Sequence, residues 1–450
     1  MSKTVDMTTG NPTRHILRFA LPLLLTNLGQ QLYMIVDAAI VGRGVGVKAL
    51  ASVGATDWIY WLILWTVIGL TQGFATFVAR SFGDKDYKKM NKVIAMSTIL
   101  CVFIGIILTI AGIFTTWPLL KLLNTPEDII DGATVYLITM IAGTLIISAY
   151  NMASAILRAF GDGKSPLIAM IIAAILNIGL DCLFVFAFDW GIFGAAIASV
   201  IAQFVAFVFC LVRIKNVDCI SFPRAVWKPD WKMIKEMLFF GVPLAVEYII
   251  ISVGGIMLQS SVNLQGSVFI AGYTATNKVY GLLECSALSL GLACATFLAQ
   301  NYGAKLYDRV KTGVKIGAKI VAVMAVAVAA STLIFRKYLL QLFLDINEPG
   351  GPAAMDFAVH YLSIMSFCLI ILYLLHIFRN ALQAIGNSLW PMLSGVAECI
   401  CRIFMSKIVI NWIGNDSLFI SEPVAWAGAL FCVMFPYFYY SKKKNWLLKQ

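Results

Sequence analysis

Asn177 and Asp181 lie four residues apart in an otherwise apolar run, 166–188, and so share one face of a helix. The run is long enough to cross a bilayer core, because roughly 20 apolar residues rising about 1.5 Å each span about 30 Å. An Asp at the membrane centre costs about 2.5–3.5 kcal/mol on insertion scales, so a chain that keeps one there usually has a use for it. Further polar groups sit at membrane depth in the first half of the chain. Asn27, Gln30, Gln31, Tyr33 and Asp37 occupy one apolar run, with positions 30, 33 and 37 on a single stripe. Ser199 and Gln203, again four apart, occupy another. Two carboxylates, an amide, a hydroxyl and nearby carbonyls suit a small hard cation such as Na+, which prefers oxygen ligands. The same groups could load and release a proton. Two plainer readings stay open: a hydrogen bond that only joins two helices and, for Asp37, a solvated rim position.

The second half carries its own charges within apolar runs: Glu247, Lys278, Glu284, Glu398, Arg402 and Lys407. Glu398 precedes Arg402 by four residues, acid before base, and the two are expected to form a structural ion pair. Glu247 follows Pro243 by four residues, where freed backbone could line a cavity, and is a candidate contact for a cationic substrate. Gln30, Tyr33, Gln203, Gln259 and Asn263 complete the polar candidates for a substrate cavity. The spacing leaves the partners of Lys278 and Glu284 open.

Helices in a membrane must position these groups. Of 450 residues, 60% are hydrophobic and 13% charged, and the mean hydropathy is +0.85; a soluble domain carries about 25% charged residues. Residues 1–14 are polar, without the short apolar segment and cleavage site of a secretory leader. Twelve apolar runs read as spans: 16–40, 53–79, 93–117, 132–157, 166–188, 191–212, 237–263, 268–299, 313–335, 355–379, 389–412 and 423–440. Lys and Arg crowd alternate connections, from Arg14 and Lys85 through Arg213, Lys228 and Lys305 to Lys442-Lys443-Lys444. The positive-inside rule then places both termini in the cytoplasm, which requires an even number of spans. The same distribution attributes the net charge of +11 to membrane orientation and not to nucleic acid.

The two halves repeat one another. Ala75-Thr-Phe-Val-Ala-Arg-Ser-Phe-Gly83 recurs as Ala295-Thr-Phe-Leu-Ala-Gln-Asn-Tyr-Gly303, Tyr60 meets Tyr280, and Pro22 has its counterpart in Pro243. Residues 1–212 therefore read as an N-terminal six-helix lobe, 213–236 as a cytoplasmic linker, and 237–450 as a C-terminal six-helix lobe with a basic tail. Six spans per repeat make the repeats parallel, related by an axis along the membrane normal around a central cavity. The fold class is an all-α integral membrane protein. At the offset set by Pro166 and Pro391, Asn177 aligns with Arg402 and Asp181 with Ser406, so the polar cluster of the first half has no equivalent in the second.

Several apparent motifs fail. Gly161-Asp-Gly-Lys-Ser165 resembles the end of a phosphate-binding loop, but the first glycine of that loop would fall on Arg158. The ten cysteines show no CxxC pairing, and His15, His360 and His376 are too scattered for a zinc site. No catalytic dyad points to an enzyme. A passive channel would not need a two-lobe repeat of this kind.

Five stretches carry a family likeness: Gln31-Leu-Tyr-Met-Ile-Val-Asp37-Ala-Ala-Ile-Val-Gly42, Gly73-Phe-Ala-Thr-Phe-Val-Ala-Arg-Ser-Phe-Gly83, Arg158-Ala-Phe-Gly-Asp-Gly-Lys-Ser-Pro166, Leu176-Asn-Ile-Gly-Leu-Asp181 and Gly191-Ile-Phe-Gly-Ala-Ala-Ile-Ala-Ser199. With the repeated halves, the chain resembles the MATE (multidrug and toxic-compound extrusion) family over nearly its whole length. The resemblance implies twelve helices in two lobes and drug efflux coupled to inward Na+ or H+ movement. In one branch the coupling residues match Asp37, Asn177, Asp181 and Ser199, the Ser standing where a Thr is frequent. A second branch uses a Glu later in helix 7 and an Asp in helix 10, and this chain departs from that pattern. The expected protein is a monomeric antiporter of the cell membrane, exporting organic cations with no cofactor beyond the coupling ion. The alternative within the same superfamily is a flippase for lipid-linked saccharide precursors, whose relatives commonly have cationic cavities and additional spans.

Overall fold

The computed structural model describes residues 4–123, 125–344, 346 and 350–442. Lys443 and Lys444 of the basic tail lie outside the described residues. Among the described residues the chain is helical, without strands. The helices are α1 (Pro12–Gly44), α2 (Val47–Gly83), α3 (Tyr87–Leu122), α4 (Glu127–Ala142), α5 (Thr144–Ala159), α6 (Lys164–Asp181) and α7 (Gly191–Lys215). After them come α8 (Trp231–Asn263), α9 (Ser267–Gly303), α10 (Tyr307–Gln341), α11 (Gly351–Ala384), α12 (Leu389–Phe404), α13 (Ile410–Ile413) and α14 (Asp416–Lys442).

Each expected span falls on one of these elements, giving the twelve-helix, two-lobe architecture. Among the described residues, ten helices are individually long and apolar enough to cross a membrane. The expected span 132–157 is bent by 46° between α4 and α5. Gly143 stands at that bend, where a Cβ would come within 2.6 Å of Val200 on α7. A larger residue would therefore push α7 away. The expected span 389–412 runs through α12, a π-helical turn at Met405–Val409, and α13. A matching π turn, Cys182–Ala187, follows α6. Such turns insert a residue into the helical ladder and often mark functional sites; apolar periodicity does not reveal them.

Two compact units appear in the described residues. Unit 1 holds Leu21–Ala245 with two short segments, Met1–Thr9 and Gly303–Lys305; unit 2 holds Gly10–Ala20, Val246–Tyr302 and Leu306–Gln450. The divisions within α1 and α8 fall beside their internal prolines, Pro22 and Pro243, where a missing N–H loosens the helix.

In unit 1, Ile59, Leu120, Ala133, Leu137 and Ile141 lock α2, α3 and α4 together. Val41, Ala49, Val185 and Ala195 join α1, α2, the π turn and α7. Close packing of small residues drives helix association in lipid, where burial of apolar surface gains little. Helix α7 illustrates this: Ala195, Ala196, Ala198, Ala202 and Ala206 are all buried, which brings its neighbours close to Ser199. Large side chains of α3, such as Phe103, Ile110 and Phe114, are exposed, as a lipid-facing surface requires.

The Gly161–Ser165 stretch proves to be a helix start. Gly161 has φ +75°, a left-handed conformation that favours glycine. Asp162 accepts from the backbone N–H of Lys164 (3.1 Å) and Ser165 (3.0 Å) and from the Ser165 hydroxyl (2.6 Å). Side-chain oxygens satisfy orphan donors of a first helical turn in this way. Arg213 Nε donates to Ser165 Oγ at 2.9 Å, tying the end of α7 to the start of α6.

Candidate functional site

Three helices of unit 1 converge on one polar cluster. Helix α6 delivers Asn177 and Asp181 just before its π turn, both fully buried, and α7 delivers Ser199 at 4% exposure. Helix α1 adds Tyr33 and Asp37, both half-buried. With its amide oriented so that both ends are satisfied, Asn177 donates to Asp181 Oδ2 at 2.9 Å. Its oxygen then accepts from the Ser199 hydroxyl and backbone N–H, each at 3.2 Å. The Tyr33 hydroxyl lies 3.2 Å from Ser199 Oγ. The four-residue spacing in α6 thus places the amide and the carboxylate on one face, and Ser199 clamps the amide from α7.

The carboxyl groups of Asp37 and Asp181 lie in the same cluster and act on one another electrostatically. Two ionised carboxylates in one buried cluster repel, and a proton or a cation held between them relieves that repulsion. One oxygen of each, Oδ1, is buried without a hydrogen-bond partner among the described residues. Oxygens in that state are available to a hard cation, so the donor set fits Na+ as well as H+. Tyr60 of α2 and Tyr136 of α4 share one packed cluster. Sequence reasoning placed Tyr60 only in the repeat and passed over Tyr136, because a tyrosine in an apolar run looks like core.

Changing Ser199 to Ala should remove the hydroxyl shared by Asn177 and Tyr33. One hydrogen bond is worth about 1 kcal/mol, so a cation held by the cluster is expected to bind about fivefold more weakly. Ser199→Thr, which keeps the hydroxyl, should stay near the wild-type value in the same titration of cation binding to the purified protein.

The remaining candidates separate. Gln30 is exposed. Gln203 has a buried, unpartnered Oε1. In unit 2, Gln259 donates to Asn263 at 2.8 Å on α8. Glu247 is 1% exposed and meets Arg379 Nε at 2.9 Å. Glu398 and Arg402 approach at 3.3 Å, but the pair belongs to a larger network. Arg379 Nη2 contacts Glu398 Oε1 at 2.5 Å, and Arg402 grips both oxygens of Glu422 at 3.0 and 2.8 Å. Arg379 and Glu422 were missed. Both sit at the margin of an expected span, and an uninterrupted charge count along 355–384 would have flagged the arginine. Glu284 lies 3.8 Å from His376, and Lys278 is exposed.

The family model MatE matches residues 22–183 and 243–408, both repeats of the chain. The "Probable multidrug resistance protein YpnP" of Bacillus subtilis (strain 168) is 28% identical over 445 residues, covering 98% of each chain. A solved MOP superfamily transporter from Pyrococcus furiosus, described as having a binding pocket of reversed polarity, shares the fold with a TM-score of 0.91 at 22% identity, covering 98% of this chain and 99% of that one. An outward-facing multidrug resistance MATE transporter of the same superfamily gives 0.88 at 22% identity, covering 96% of each. The chain belongs to the MatE family, the MATE membrane transporters.

Proposed function

We propose that this transporter exports organic compounds, cationic ones in particular, in exchange for inward Na+ or H+, and that the ion is held by Asp37, Asn177, Asp181 and Ser199. The observation that carries the reading is a pair of carboxyl groups, Asp37 and Asp181, each with a buried oxygen unpartnered among the described residues, in one cluster with the buried Asn177 and Ser199. Such a pair binds a cation in one protonation or ligation state and repels itself in the other. A site of this kind can bias two conformations only if its ion binds them unequally. The two π turns and the prolines at 22 and 243 are the places where helices could yield as that bias changes.

The name of the Bacillus relative supports export of drugs. Alternate crowding of Lys and Arg supports a cell-membrane protein with both termini in the cytoplasm. The repeat supports two six-helix lobes, 1–212 and 237–450, joined by the basic linker, with the monomer as the working unit. The buried cations of unit 2 are matched by carboxylates, which favours a cationic cargo over an anionic lipid-linked saccharide.

Purified protein in sealed vesicles, loaded with a fluorescent organic cation, tests this directly. An imposed Na+ or proton gradient is expected to accelerate dye movement against its own gradient. Dye that only equilibrates, whatever gradient is imposed, would remove the antiport reading and leave a passive pathway.

A further inference from the structure

Unit 2 buries a chain of five charges that the coupling site does not use. Arg379 of α11 meets Glu247 of α8 and Glu398 of α12; Arg402 of α12 meets Glu398 and Glu422 of α14. Three acids face two guanidiniums. The nearby Glu284 and His376 lie beside each other and do not alter that imbalance when both are charged. An isolated charge in such an interior is costly enough that the group neutralises instead.

The hydrogen bonds say which acid takes the proton. Glu398 uses both oxygens on two different arginines, and Glu422 accepts both of its bonds from Arg402. These are contacts of ionised carboxylates. Glu247 spends one oxygen on Arg379, while its Oε2 is buried with no partner among the described residues. A metal ion fits poorly there. Gly395 of α12 crowds the side chain, since even a Cβ would lie 3.2 Å from Glu247 Cγ, and a guanidinium already faces the carboxyl. A hard cation would also need several oxygens.

We propose that Glu247 is a second proton-binding site of the protein, holding the one proton that neutralises the buried network of unit 2. It is separate from the Asp37–Asp181 pair and does not depend on the transport reading. Its proton lets Arg379 bridge α8, α11 and α12 without leaving a net charge in the bundle.

Infrared difference spectroscopy on the full-length protein in nanodiscs tests this, with thermal melting alongside. Wild type at neutral pH should show a protonated-carboxyl stretch that Glu247→Gln removes, with the melting midpoint retained, because Gln mimics the neutral acid. Asp181→Asn should keep that band even where it abolishes transport, which separates the two sites. A band unchanged in Glu247→Gln would overturn the proposal. So would a variant that fails to fold or melts well below wild type, since an ionised Glu247 is what Gln cannot replace.

Discussion

Replacing Asp181 by Asn should reduce gradient-driven efflux to the rate of protein-free vesicles, while the variant still folds and still binds substrate. The amide keeps the size of the side chain and can still bond Asn177, so the helix packing around Ser199 persists. What it loses is one of the two carboxyl groups, Asp37 and Asp181, whose buried oxygens lie unpartnered in the cluster. With one acid left, no pair remains whose mutual repulsion a proton or Na+ relieves, and the ion's differential affinity for the two conformations disappears with it. Asp37→Asn should give the same loss. Efflux rates under an imposed gradient, set beside substrate binding measured without one, check both variants. A Asp181→Asn protein that binds but does not pump is the expected result, and one that pumps at the wild-type rate would leave the pair without its role.

The largest effect on stability is expected at Arg379. Its guanidinium is the link between Glu247, Glu398 and the Ser394 hydroxyl, all buried. Arg379→Met fills much of the stem's volume but strips the charge, leaving more acid than the network can neutralise. Removing one partner of a buried ion pair costs about 3–5 kcal/mol, because the charge left behind has neither water nor counter-ion. The variant should lose most of its folded yield in detergent, with a sharply lowered melting midpoint. Lys407→Met, in the π turn after α12, should melt with wild type, since Lys407 is exposed and donates to the Ser260 hydroxyl. A mild phenotype at Arg379 would mean that the five charges are not a mutually dependent unit.

The backbone plan was legible because bilayer thickness and charge asymmetry constrain it strongly. All twelve runs landed on helices, and the repeat marked by Pro22 and Pro243 placed corresponding positions in the two halves. The polar cluster was legible for a different reason. Asn177, Asp181 and Ser199 are costly in lipid, and their spacings fix which face they share. What stayed hidden depends on the third dimension. Tyr136 has no periodic signature that separates it from packing residues. The π turns leave the hydropathy profile unchanged. Arg402 shares a helix with Glu398, so local spacing suggested a simple pair, yet its two-pronged contact is with Glu422, twenty positions on. Glu247 looked available to substrate because of its proximity to a proline; its burial against Arg379 depends on α11 and α12, which no local pattern brings beside α8.

The central claim is that the coupling ion resides with Asp37 and Asp181 in unit 1. Its most direct test is to measure ion release when substrate is added to purified protein, reading protons with a weakly buffered pH indicator and Na+ with a sodium electrode. Wild type and Glu247→Gln should release the same ion to the same extent, and Asp37→Asn and Asp181→Asn should release none. Undiminished release from Asp181→Asn, or its loss in Glu247→Gln alone, would place the coupling ion in the other unit and contradict the account.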